Sequence, residues 1–180
     1  LAAHLADAPH TAQLRAGLGA RRQMARTSVP TLDFGPFRTG DAAARDALGA
    51  QLFGAMRDMG FVTLTNHGLP SSLTERAWRE AERFFALPLE AKRLSAFGSP
   101  EANRGYLGIG DEKADFRTAD LRETLNIGDE HDAFDNPWPR ELPGFRETML
   151  ELYDASDALH LDVLRCLALS MRLPEEYFTP

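Results

Sequence analysis

Five histidines and one cysteine are the obvious reactive side chains of this 180-residue sequence. His160-Leu161-Asp162 has the H-x-D spacing that supplies two ligands of an iron facial triad when a second histidine completes it. That chemistry needs both side chains on one side, as on a strand, whereas residues two apart on a helix lie about 200° apart. The pair falls in the middle of the best helical stretch and no histidine follows it. It reads as ordinary helix, and no metal ligand is expected from this chain. His131, in Asp129-Glu130-His131-Asp132, reads as a solvated loop histidine. His67 sits between a strand end and Gly68, where a half-buried ring would bond nearby backbone. Cys166 lies on an apolar helix face with no base beside it in sequence, and reads as a buried thiol. No G-x-S-x-G elbow, P-loop or HEXXH occurs. Gly105-x-x-Gly108-x-Gly110 has the wrong spacing for a dinucleotide fingerprint and opens no helix.

These residues must be positioned by alternating helices and short strands. Phe61 to Thr65 alternates apolar and hydroxyl residues and reads as a buried strand, with Asn66-His67-Gly68 as the turn after it. Before it, Asp41 can cap a helix running to Met59, with Leu48, Leu52, Met56 and Met59 on one face and Gly60 terminating it. After it, Ser72 and Glu75 form a capping-box pattern opening a helix with Leu73, Ala77, Ala81, Phe84 and Phe85 on its apolar side. Val29 to Phe34 is a first short strand, and Pro88 can open a short helix over Leu89 to Leu94. Gly105 to Gly110 and Arg122 to Gly128 read as two further strands, and Asn136-Pro137-Trp138-Pro139 as rigid loop. A long helix from about Pro143 to Arg172 carries Phe145, Met149, Leu152, Leu159, Val163, Cys166 and Leu167 near one face.

Composition narrows the partners. The 43% hydrophobic and 26% charged residues are ordinary for a soluble globular domain. A net charge of −7 does not favour nucleic acid or an anionic membrane. A lone cysteine suits a reducing cytoplasm, and no apolar run is long enough to span a bilayer. Residues 1–23 are alanine-rich, with Arg15, Arg21 and Arg22 against Asp7, and lack the compact apolar core of a signal sequence. They read as a flexible extension ahead of a unit spanning 24–180 that opens at Met24.

Taken in order, several segments resemble the N-terminal region of the isopenicillin N synthase-like family of iron(II), 2-oxoglutarate-dependent oxygenases. They are Val29-Pro30-Thr31-Leu32-Asp33, Gly60-Phe61 with Asn66-His67-Gly68-Leu69-Pro70, and Phe84-Phe85-Ala86-Leu87-Pro88-Leu89-Glu90-Ala91-Lys92. Arg104-Gly105-Tyr106, Arg122-Glu123-Thr124-Leu125-Asn126-Ile127-Gly128 and Asn136-Pro137-Trp138-Pro139 continue the match. The resemblance implies an α+β fold in which N-terminal helices pack on the first strands of a double-stranded β-helix, or jelly roll. It implies oxidation of a small-molecule substrate with O2, using Fe(II) and, in most members, 2-oxoglutarate. The ligands for both belong to a C-terminal half that is not in this chain, so that half is the implied partner and the fragment alone is expected to be inactive. Asn66, His67 and Gly68 match the family's structural turn. Arg104, with Tyr106, matches a position from which some members contact a substrate carboxylate; a plain surface arginine is the alternative. At the level of the molecule, a non-catalytic scaffold or interaction module derived from the family is the rival reading.

Overall fold

The computed structural model describes residues 28–111 and 121–179; the expected extension over residues 1–23 lies outside them. The order of elements is β1 (Thr31–Asp33), α1 (Gly35–Thr39), α2 (Ala42–Asp58), β2 (Thr63–Thr65), α3 (Ser71–Phe85) and α4 (Leu89–Arg93). β3 (Gly105–Leu107), β4 (Thr124–Asn126) and α5 (Phe145–Ser170) complete it. β1 pairs parallel with β2, Leu32 opposite Leu64. β3 pairs antiparallel with β4, Tyr106 opposite Leu125. The result is a mixed α and β structure. Its described strands form two separate two-stranded sheets and do not close into a jelly roll.

α5 is the spine. Its 26 residues span about 39 Å at 1.5 Å per residue, long enough to serve two cores. Near its start, Phe145 packs with Phe84, Tyr106 and Leu142. Near its end, Cys166 is fully buried with Phe34, Phe37, Leu48 and Leu52. α2 lies against this second end at close range. A Cβ on Gly49 would stand 3.1 Å from the Cys166 carbonyl oxygen.

Local chemistry sets the boundaries. Asp41 caps α2 by accepting a hydrogen bond from the Ala44 N–H at 2.9 Å, and Gly60 follows with φ +79°. α3 departs from the expected capping box. It starts at Ser71 with Pro70 in the cap position and no side-chain cap, so Ser72 lies within the helix. The fixed φ of proline is already suited to a helix start, and the Leu73 and Thr74 N–H groups bond the Pro70 carbonyl instead.

The strand over Phe61 to Thr65 is not buried as its alternation suggests. Thr63 and Thr65 are exposed, Leu64 is half-buried, and Phe61 is 70% exposed. Only the Leu32 and Leu64 side of this ribbon meets the α2–α5 core; the other side is uncovered among the described residues. Met56, expected on the apolar face of α2, is likewise exposed.

Candidate functional site

Three of the sequence segments meet around Arg104. Gly105 follows it with φ +106°, and a Cβ there would lie 2.5 Å from the Ala96 carbonyl oxygen, so only glycine fits. That close passage lets the Tyr106 N–H bond the Ser95 carbonyl and the Tyr106 carbonyl accept from Phe97 N–H. The Arg104 guanidinium runs back across Gly128, where a Cβ would stand 1.7 Å from its Cζ. Gly128 is held in turn by Asn136, whose side-chain amide bonds both its N–H and its carbonyl at 2.9 Å. Arginine, glycine and asparagine from three separate segments thus form one stack. The Arg104 side chain is only 13% exposed and pairs with Asp132. Its Nη1 donates to the Ala102 carbonyl at 2.9 Å.

Next to this stack, across β3, lies a small cavity of about 190 Å³ lined by Leu89, Lys92, Arg93, Tyr106, Ile109 and Glu123. Tyr106, placed by the resemblance at the substrate, is 3% exposed and its ring meets Phe84 edge-on. Its hydroxyl donates to Glu123 Oε2 at 2.5 Å. Lys92 Nζ donates to the same oxygen at 2.7 Å and to the Phe85 carbonyl at 3.2 Å. Burial, and then the Glu123 carboxylate, push the Tyr106 phenol up to about 12. Lys92 and Tyr106 donating to Glu123 hold its carboxyl below the ordinary glutamate value of 4.5. In this triad Glu123 therefore stays a carboxylate and Tyr106 a neutral phenol at neutral pH. Lys92 and Glu123 sit inside the segments that carry the resemblance, but sequence alone assigned them no part. No local signal marks them, since Lys92 stands beside Arg93 and Glu123 beside Arg122 and Thr124.

The turn after β2 is built by its own side chains. Asn66 adopts φ +51° and donates to Asp33 Oδ1 at 2.9 Å. The half-buried His67 accepts the Leu69 N–H on Nδ1 at 3.2 Å. Gly68, with φ +84°, lies under the Arg38 guanidinium, which donates to the His67 carbonyl at 3.1 Å.

A protein-family model described as the N-terminal region of non-haem dioxygenases in morphine synthesis matches residues 29–143. The chain belongs to this family. It is 38% identical over 174 residues to a 2-oxoglutarate-Fe(II) type oxidoreductase, hxnY, of Emericella nidulans, covering 87% of this chain and 50% of that protein. It is 35% identical over 161 residues to the proline hydroxylase buaE of Petromyces alliaceus, covering 84% of this chain and half of the relative. Among solved structures, a full-length Neurospora crassa protein in complex with alpha-KG superposes with a TM-score of 0.76 at 32% identity, over 83% of this chain and 49% of that one. The chain spans about half the length of these relatives.

Membership in the dioxygenase family raises the question of iron. Asp162 is engaged by Arg165 on the next turn, and both His160 and Asp162 lie inside α5. Among the described residues no three His, Cys, Asp or Glu side chains gather into a group that could hold a metal ion. The described residues do not fit an iron site. Cys166, buried and pushed up to about 11 by that burial, is no nucleophile at neutral pH. No helix among the described residues is long and apolar enough to cross a membrane.

Proposed function

We propose that this chain, over residues 24–180, is the N-terminal region of an iron(II)- and 2-oxoglutarate-dependent oxygenase that oxidises a small molecule with O2. The observation that carries this reading is the superposition on the Neurospora crassa structure in complex with alpha-KG, with a TM-score of 0.76. Iron, 2-oxoglutarate and the jelly roll would come from a C-terminal half, with the ligands outside this chain, and the fragment alone would be inactive. Residues 1–23 would be an extension outside the unit. No nucleic-acid or membrane partner is part of the reading, and the cytoplasm is the compartment.

Within this unit, Arg104 would anchor an anionic group of the substrate, since a rigid guanidinium fork suits a carboxylate. Tyr106 would face the substrate only through the cavity it lines, and otherwise fixes β3 and with it Arg104. Asn66, His67 and Gly68 would be structural. The test is to read the coding sequence beyond Pro180 and assay the longer product for succinate release with Fe(II), O2 and 2-oxoglutarate. Turnover by the longer protein and none by the 180-residue chain is expected. A stop codon after Pro180, with no turnover, would instead favour a scaffold.

A further inference from the structure

We propose that Asp132 is a placeholder: it occupies Arg104 until a carboxylate of the substrate replaces it. The inference rests on the reading of Arg104 as an anion anchor, and names both the ligand class and the regulation of that site. Arginine offers a flat edge of two parallel N–H groups, Nε and Nη2, that matches the two oxygens of one carboxylate. Asp132 fills half of it. Its Oδ2 takes Nη2, but its Oδ1 is committed to the Phe134 N–H at 2.8 Å. Arg104 Nε is left buried with no acceptor among the described residues. An orphaned buried donor is costly, and a carboxylate with both oxygens free would satisfy it.

The geometry also decides which partner can leave. The guanidinium is confined by Gly128 beneath it and by the Ala102 carbonyl on Nη1, and Gly128 is fixed by the Asn136 amide. Asp132 is 38% exposed, in an exposed run from His131 to Asp135. On one side the run is anchored where Glu130 bonds Trp138 and Arg146, on the other by Asn136. Asp132 can therefore rotate into solvent while the largely buried Arg104 stays in place, its charge taken up by the incoming carboxylate. The exchange is one carboxylate for another.

The experiment titrates the 180-residue chain, labelled with ¹⁵N-arginine, with propionate and with inorganic phosphate, following the Arg104 Nε–H resonance. Asp132→Asn keeps the cap on Phe134 while removing the charge. It should bind propionate about tenfold more tightly than the unaltered chain, the scale of a completed charge-assisted pair; a larger gain for phosphate than for propionate would overturn the exchange of one carboxylate for another. Arg104→Gln should abolish this binding. If Asp132→Asn binds no tighter while Arg104→Gln still weakens propionate, the placeholder is wrong and the anchor stands. If no binding depends on Arg104, the anchor itself fails and the placeholder with it.

Discussion

Gly128 is the narrowest point between the Arg104 guanidinium and the Asn136 amide, and the smallest change there has a clear consequence. In Gly128→Ala the new methyl would stand 1.7 Å from Arg104 Cζ, so the guanidinium must leave Asp132. The expected loss of stability is about 1–3 kcal/mol, as for other overpacked sites, measured by denaturant unfolding. Arg104→Ser in the same background should recover part of it. Tyr106→Phe removes one of the two donors on Glu123 Oε2 and is expected to cost about 1.5–3 kcal/mol, since the acceptor is charged. Glu123 also gives a pH dependence. Its folded-state value is lowered, so its contribution is fully present above the ordinary 4.5 and is lost as pH falls through the lower folded value. Glu123→Gln should flatten that acid limb of the stability curve; an unchanged limb would remove the triad from the account. These contacts were only partly legible beforehand. The segment types named Arg104, Gly128 and Asn136, but nothing local says that residues 24 and 32 positions apart form one stack around Arg104.

Elements were easier to read than contacts, because helix periodicity and caps are local. Asp41, Gly60 and the extent of α5 follow from sequence within a few residues. The failures come from tertiary context. Pro70 preempts the Ser72 cap, and β2, alternating like a half-buried strand, has only Leu64 turned to the core. α5 makes its own prediction through the close approach of α2. Gly49→Leu would drive a side chain into Cys166 and Ser170, whose atoms already lie 3.1–3.4 Å from a bare Cβ. Loss of about 1–3 kcal/mol is expected. The Cys166 thiol, inert to an aromatic disulfide reagent in the native chain because it is buried and protonated, should become reactive at lower denaturant in that variant. Equal protection in both would mean the two helices separate freely.

At the scale of the molecule, two cores share one helix, and several large apolar side chains are left uncovered among the described residues. Val29, Phe53, Met56 and Phe61 are all exposed. A mostly apolar groove of about 460 Å³ lies between β1 and α2, lined by Pro30, Leu32, Gly54, Ala55 and Met59 with Gln51 and Asp58. Exposed apolar side chains favour association where they cluster, and a two-stranded ribbon leaves backbone donors and acceptors unpaired at its edges. A net charge of −7 opposes association, but only over about a Debye length, near 10 Å at 0.1 M salt. Short-range apolar contact should therefore win once salt screens that repulsion. The expected outcome is association of the 180-residue chain that strengthens from low to moderate salt, seen by sedimentation velocity, together with binding of an apolar-surface dye. Phe61→Glu combined with Met56→Lys should restore a monomer and reduce dye binding without lowering the unfolding midpoint, since neither side chain is in a core. A clean monomer for the unaltered chain at every salt concentration would show that these side chains need no cover, and would shift the balance toward a free-standing module.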